Sequence, residues 1–247
     1  MDIVTLAERP DLAAKMWELA DVWPEFMLHD PIADLYYSNV ENLWADWSLL
    51  AVDGSDVVAR AYCLPFAMGT DIGRPVLPDD GWDGVIRWSY LDGLVQRLPT
   101  TVSALEISID PGHRGSGLAQ EMISAMMDLV ATRGFDRLVV PVRPSRKHVE
   151  PNTSMLEYAA RVRPDGLPED PWLRLHVRMG GTIVKVCPTA MTIPGTLAEW
   201  REWTGLPFAA TGPVIVPGAL VPVNADVTHD HAVYVEPNVW VEHLVGI

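Results

Sequence analysis

Three features of this 247-residue chain have the residue types and spacing for chemistry: a carboxylate on a strand, a glycine-rich turn beyond it, and a histidine on a later helix. Leu105 to Ile109 alternates apolar and polar residues as a strand does, so Glu106 and Ser108 share one face and Ile107 and Ile109 the other. Asp110 and Pro111 stop that strand, and Gly112, Gly115 and Gly117 permit a tight connection. A helix follows at once, with Leu118, Met122, Met126 and Leu129 about one turn apart and Gly134 as its stop. The unpaired amides of its first turn and its macrodipole favour an anion at Arg114-Gly115-Ser116-Gly117-Leu118-Ala119, where small residues let a diphosphate approach the backbone. The spacing is not that of the dinucleotide-binding fingerprint, and no Gly-Lys-Ser/Thr ending marks a P-loop. Ser108 reads as a lining residue rather than a nucleophile, because no adjacent His and Asp constellation accompanies it.

The surrounding elements must hold these groups in place. Asp11 to Val22 reads as a helix and Pro31 to Tyr37 as a second, shorter one. Trp47 to Val52 and Val57 to Phe66 read as a hairpin around Asp53-Gly54-Ser55-Asp56. The acidic Gly- and Pro-rich stretch from Gly69 to Gly84 and a helix from Trp82 or Asp83 to about Arg97 look like an insertion before the Glu106 strand. Arg137 to Val142 suits a buried parallel strand, which completes a strand, helix, strand unit. Further on, helical pieces are expected around Ser154 to Val162, Trp172 to Met179 and Gly195 to Trp203. Strands are expected at Thr182 to Val186, Val214 to Val216, Ala219 to Val223 and Ala232 to His243.

Arg114-Gly115-Ser116-Gly117-Leu118-Ala119 resembles the Q/R-x-x-G-x-G/A acyl-CoA motif of the GNAT superfamily of acyltransferases, and the E-I-S-I-D-P strand before it agrees. The element order is similar to the GNAT core as well, with strong motif support confined to about Ala104 to Val142. The resemblance implies an α/β (α+β) fold with a mixed, splayed central sheet flanked by helices, carrying a pre-motif insertion and a C-terminal extension. It implies one elaborated domain over 1–247: N-terminal helices, hairpin and insertion in 1–103, an acyl-CoA core in 104–188, and a final helix and strands in 189–247.

The implied activity is transfer of an acetyl group from acetyl-CoA, or of another acyl group from its CoA thioester, to an amine of a small molecule by direct attack. Arg114, Gly115, Ser116, Gly117, Leu118 and Ala119 inherit the pyrophosphate role, and the backbone near Ile107 and Ile109 pairs with the pantetheine arm. Glu106 lies where many family members carry a carboxylate; it serves as a base toward an ammonium, or only orients an acceptor or pairs with a cation. Setting Met179-Gly180-Gly181 against the family's x-G-F places His176 at its tyrosine position, where a hydroxyl protonates the departing thiolate. Histidine can also donate there, although it equally reads as a packed helix residue, and loss of the tyrosine suits altered chemistry. The alternatives are decarboxylation, transfer to a carrier thiol, or noncatalytic acyl-CoA binding. Ser108, Tyr158 and Trp172 are acceptor-pocket candidates, and Glu236 and Asn238 face the acceptor or end a bulge at Pro237.

Composition narrows the setting. A chain that is 49% hydrophobic and 21% charged can bury a substantial core. A net charge of −15 with no basic stripe outside Arg143-Pro-Ser-Arg146-Lys147 argues against nucleic acid, and that cluster either serves CoA or is solvated. Cys63 and Cys187, far apart in apolar segments, read as buried free thiols, which fits a reducing cytoplasm. No signal core or membrane-length apolar run is evident, so no membrane partner is expected. His229, His231 and His243 have metal-ligand side chains, but two histidines beside a polar turn are ordinarily solvated, and no metal is expected. A homodimer is compatible with the length of the insertion and extension.

Overall fold

The computed structural model describes residues 1–20 and 23–246. Its strands are β1 (Asp2–Thr5), β2 (Ser48–Asp53), β3 (Asp56–Phe66), β4 (Thr101–Ile109), β5 (Arg137–Val142), β6 (Thr182–Gly195), β7 (Gly212–Val214), β8 (Val223–Asp226) and β9 (His231–Leu244). Its α-helices are α1 (Ala13–Glu18), α2 (Ala33–Tyr37), α3 (Val40–Leu43), α4 (Gly81–Leu94), α5 (Leu118–Thr132), α6 (Met155–Ala159), α7 (Pro171–Arg178) and α8 (Leu197–Thr204). One mixed sheet runs β1-β2-β3-β4-β5-β9-β8-β7, with β6 also on β9. Among the described residues only β4 and β5 pair in parallel, as expected for the two strands joined through a crossover helix, α5.

Two irregularities open this sheet where the chemistry is expected. The β3–β4 register steps from Tyr62↔Glu106 to Cys63↔Ala104, leaving Leu105 as a bulged residue. Pairing of β4 with β5 is confined to Val102↔Leu138 and Ser103↔Val139, so the two strands part beyond Ser103. The second gap is on β9. Its residues 239–244 pair with β5 and 231–233 with β8, leaving Tyr234 to Asn238 without a strand partner on that edge. Pro237, with no N–H to donate, suits such an unpaired stretch. On its other edge β9 pairs with β6, whose register skips from Cys187 to Met191 opposite Asn238 and Glu236.

Each face of the sheet is covered. Leu118, Met122, Met126 and Val130 of α5 pack on Val102, Ala104, Ala61 and Leu138. The other face holds an aromatic core in which Tyr36, Tyr62, Trp82, Trp200, Tyr234 and Trp240 are buried with Val85 and Ile86 of α4. Alternation along β4 therefore sends Ile107 and Ile109 toward α5 and Glu106 and Ser108 toward the aromatic side, as expected. Gly81 starts α4 at φ +40, and a Cβ there would lie 2.8 Å from Ala190 Cβ, so glycine is what lets α4 approach the β6 irregularity.

Several boundaries differ from the sequence reading. The first helix is short: a 3-10 turn at Pro10–Leu12 leads into α1, which ends at Glu18, and Asp21 and Val22 lie outside the described residues. The expected strand Thr182 to Val186 continues to Gly195, because the Pro188-Thr189-Ala190 interruption is a bulge and not an end. The run Ala219 to Val223 is mostly loop. Pro217 and Gly218, the latter at φ +85, turn the chain after Val216, and the strand begins only at Val223. Val214 to Val216 likewise shifts to Gly212–Val214. Strand β1 pairs with β2 from Asp2↔Val52 to Thr5↔Leu49, an edge that four mixed residues did not announce. The Gly69 to Gly84 segment leads into a helix whose apolar side is part of the core, so α4 is integral to the sheet's packing. No described helix is long and apolar enough to cross a membrane.

Candidate active site

The turn after β4 leaves backbone amides free at the start of α5. Asp110 Oδ1 accepts from Gly112 N at 2.8 Å and fixes the start of the turn, and Gly115 and Gly117 then adopt φ +78 and +95. Ser116 Oγ donates to His113 O at 2.7 Å, and Gly117 is the N-cap of α5. Among the described residues, the amides of Gly115, Ser116, Gly117 and Ala119 donate to no protein acceptor, leaving a concave set of donors at a helix N-terminus. A Cβ at Gly115 or Gly117 would meet no protein atom within 4 Å, so the space above both is open for a ligand.

From that turn a cavity of about 1040 Å³ passes through the gap between β4 and β5 to the opposite face of the sheet. Arg114, Ala119, Ile123 and Met126 line it at the turn and α5, Ile107 and Ile109 on β4, and Leu138, Val140 and Pro141 on β5. Beyond the strands it is walled by Trp17, Trp23, Tyr37 and Trp82, with Glu18 and Asp34 among its charged residues. Glu18 and Asp34 are exposed and make no ion pair among the described residues. His176 and Trp172 of α7, Glu236 and Asn238 of β9, and Arg143 complete the lining.

Glu106 sits on the wall of this cavity, only 6% exposed. Arg60 Nε donates to its Oε1 at 3.1 Å, Ser108 Oγ donates to the same oxygen at 2.5 Å, and the Tyr37 hydroxyl donates to Oε2. Arg60 lies diagonally across the β3–β4 ladder, opposite Ser108, and its Nη1 donates to Met16 O at 3.2 Å. Burial and then Glu106 push the Tyr37 hydroxyl well above its usual range, so it remains a donor. All three partners present hydrogens to the carboxylate; Oε1 already accepts two of them, so Oε2 is the oxygen with a lone pair left for a further donor.

The floor at the β9 gap carries a second ion pair. Arg143 Nε donates to Glu236 Oε1 and Oε2 at 3.0 and 2.9 Å, Tyr234 donates to Oε2 at 2.8 Å, and Asn238 Nδ2 donates to Oε1 at 3.0 Å. Arg143 also lies 5.7 Å from the Trp23 ring centroid. Glu236 and Asn238 thus line the cavity.

His176 is 2% exposed, with Nδ1 2.9 Å from His243 Nε2 and Trp172 set edge-on at 5.1 Å. Burial, and then His243, pull its pKa down to about 3, so the ring is neutral near pH 7. A titrating imidazolium acid is therefore replaced by a neutral imidazole. Three other candidates are relocated. Tyr158 is outside the cavity, donating to Asp170 Oδ2 at 2.9 Å in a core beside α7, because Asp170 both caps that helix and ties it to α6. Ser108 is buried behind Glu106 and supports it rather than the acceptor. Lys147 is wholly buried, donating to Glu150 O and Leu220 O at 2.7 Å each, so it is a structural cation and not a counter-charge for an anion. The three histidines of the C-terminal run are not brought together: His229 pairs with Asp226 at the surface while His243 is buried on His176.

The residues that the sequence reading missed come from distant elements. Arg60 interrupts an apolar strand run with a charge, which is the one local sign that it answers a buried carboxylate. Trp17, Trp23, Asp34, Tyr37 and Trp82 carry no such sign, and their common wall exists only after α1, α2 and α4 pack on the sheet.

No protein-family model matches the chain. Arginine N-acetyltransferase avaD of Aspergillus versicolor is 32% identical over 270 residues, spanning 98% of this chain and 93% of that protein. Among solved structures, the loading GNATL domain of CurA from Lyngbya majuscula superposes with a TM-score of 0.61 at 15% identity, covering 98% of this chain and 96% of that one. A GphF GNAT-like decarboxylase in complex with isobutyryl-CoA gives 0.53 at 16% identity, with 99% of each chain covered. These two likenesses are of fold.

Proposed function

We infer the acceptor from one premise: the chain belongs to the GNAT superfamily, and it is an acyl-CoA-dependent enzyme that transfers an acetyl group to an amine. We propose that this acceptor is arginine or a small arginine-like molecule bearing a guanidinium. The observation that carries the proposal is the continuity of one cavity from Arg114 and Ala119 of the turn to a chamber walled by Trp17, Trp23, Tyr37 and Trp82, with the exposed carboxylates Glu18 and Asp34, which make no ion pair among the described residues. Aromatic faces and carboxylates together suit a planar, delocalised cation. The name of the 32%-identical relative points to the same acceptor class.

Acetyl-CoA supplies the activated thioester when bound; the rest is the work of this chain. The amides of Gly115, Ser116, Gly117 and Ala119, with Arg114, hold the diphosphate, and the free edge of β4 beside Ile107 and Ile109 takes the pantetheine amides. Glu106, held in place by Arg60 and the Tyr37 and Ser108 hydroxyls, orients the acceptor amine and receives its proton, directly or through water. A main-chain N–H of β4 beyond the Leu105 bulge stabilises charge on the carbonyl oxygen. Trp172 closes the cavity beside His176.

The test is thiol release from acetyl-CoA with arginine, agmatine, ornithine, lysine and citrulline, with product mass recorded. Turnover of arginine or agmatine above that of citrulline, which keeps the shape and loses the charge, is the expected result. Equal turnover of citrulline, or none with either guanidine, contradicts the acceptor. Malonyl-CoA without an acceptor tests decarboxylation in the same experiment.

A further inference from the structure

Two buried carboxyls beside the aromatic chamber, Asp30 and Asp83, take no part in the transfer reaction. They are 3% and 2% exposed. Asp30 stands just before α2, and its Oδ1 accepts from Ile32 N at 2.7 Å. Asp83 lies in the first turn of α4, and its Oδ2 accepts from Thr192 N of β6 at 3.1 Å. The other two oxygens, Asp30 Oδ2 and Asp83 Oδ1, are buried and receive no N–H or O–H from the described residues. What each carboxyl does have is the other, within hydrogen-bonding reach.

Two carboxylates have no hydrogen to share, so buried acceptors set against each other are satisfied only when one of them carries a proton. The described residues contain no group of three or more His, Cys, Asp or Glu side chains that could hold a metal ion, so the pair has too few ligands for one and suits a proton. Asp83 then donates through Oδ1–H to Asp30 Oδ2. Burial first, and Asp30 second, push Asp83 up to about 9. Glu236 of β9, engaged by Arg143, adds a negative charge that favours keeping the proton, and Arg87 of α4, paired with Asp80, opposes it. His29, next to Asp30 in the chain, is turned to Glu25 and stacked on Trp203.

The pair joins three walls of the chamber. Asp30 leads into α2, whose Asp34 and Tyr37 line the cavity; Asp83 follows Trp82, and Thr192 follows Met191, which line it too. We propose that Asp30 and Asp83 are positioning residues that share one proton, and that this proton holds α2, α4 and β6 together as the wall that receives the acceptor. Its loss sets two carboxylates against each other in a buried space and drives α2 away from α4. Acceptor binding then weakens, while the acyl-CoA turn at the other end of the cavity keeps its shape. The inference rests on the reading of this chamber as the acceptor site.

The test compares full-length wild-type and Asp83→Asn enzyme between pH 7 and pH 10, using thiol release with whichever of the amines above turns over fastest. In the variant a carboxamide N–H replaces the acid O–H toward Asp30, and the carboxamide oxygen still accepts from Thr192 N, so the contact persists without a titrating proton. Dividing the wild-type acceptor KM by that of the variant at each pH cancels the acceptor's own ionisation. The ratio is expected to be close to unity at pH 7 and to reach about tenfold at pH 10, as for a group titrating near 9 whose proton is needed for binding, with equal acetyl-CoA KM in the two proteins throughout. Carbon-13 carboxyl spectra of aspartate-labelled wild type are expected to show one protonated carboxyl at pH 7 that the variant lacks. A ratio that does not change with pH overturns the inference, as does a wild-type spectrum in which every aspartate is ionised at pH 7. Should the variant fail to fold, or the wild type lose its circular dichroism at pH 10, the wild-type spectrum at pH 7 decides alone. Absence of acetyl transfer to any amine in the wild type would instead overturn the reading of the cavity.

Discussion

At the scale of single residues the site depends on charges that are buried only because they are answered. The Arg60–Glu106 pair has side-chain exposures of 6% and 3%, and removing one partner from such a pair leaves the other uncompensated, at a cost of about 3–5 kcal/mol. Arg60→Met is therefore expected to lower the unfolding free energy by roughly 3 kcal/mol, measured by denaturant titration; a loss under about 1 kcal/mol would mean that solvent reaches Glu106. Glu106→Gln keeps the shape and loses the charge. It is expected to cut kcat about a hundredfold while leaving acetyl-CoA affinity within a factor of about two, and normal turnover would remove Glu106 from the reaction. Glu106, Arg114 and the glycines were legible from the sequence because strand alternation and turn chemistry are local. Arg60, Tyr37 and His243 were not, because each acquires its meaning from a partner 46, 69 or 67 positions away.

At the scale of elements, the sheet is arranged around its own defects. The Leu105 bulge and the short β4–β5 ladder open one gap, the Tyr234 to Asn238 stretch of β9 another, and the cavity runs past both. A continuous ladder at either place would close the path. The hairpin, β5 and the motif helix were readable because their periods and turns are self-contained. The extent of β6 was hidden by Pro188, since a long bulge and a strand end look alike until the partner strand is known. That bulge is held by α4 through Gly81. Gly81→Ala is expected to cost about 2 kcal/mol or more in thermal or denaturant unfolding, from a contact at 2.8 Å and a φ of +40 together. Unchanged stability would show that the helix can shift away without loss.

At the scale of the whole molecule, buried carboxyls on the aromatic side make stability depend on pH. Asp83 at the start of α4 and Asp30 before α2 lie within hydrogen-bonding reach, 2% and 3% exposed, with Glu236 and Arg87 nearby. Burial first, and Asp30 second, push Asp83 up to about 9. The folded state therefore holds a proton that the unfolded chain releases near 3.8, and the associated stability is lost as pH rises toward 9. His176 acts in the other direction but only below its unfolded value of 6.5, where acid favours the unfolded chain. Between pH 6.5 and 9 the Asp83 effect stands clear, and the unfolding free energy, measured by denaturant titration, is expected to fall with a slope of up to about 1.4 kcal/mol per pH unit. Asp83→Asn should flatten that profile, whereas a flat wild-type profile would mean the proton is not held. The aromatic-walled chamber was the least legible part of the chain, being assembled from α1, α2, α4 and β9 by the fold alone. The most direct test of the account is calorimetric titration of wild-type and Gly117→Asp protein with acetyl-CoA. Micromolar binding that weakens at least a hundredfold in a Gly117→Asp variant with wild-type circular dichroism is the predicted result, since the side chain would enter open space and set a negative charge among the free amides. Equal affinity in the two proteins would contradict the assignment of the Arg114 to Ala119 turn as the place where acyl-CoA is held.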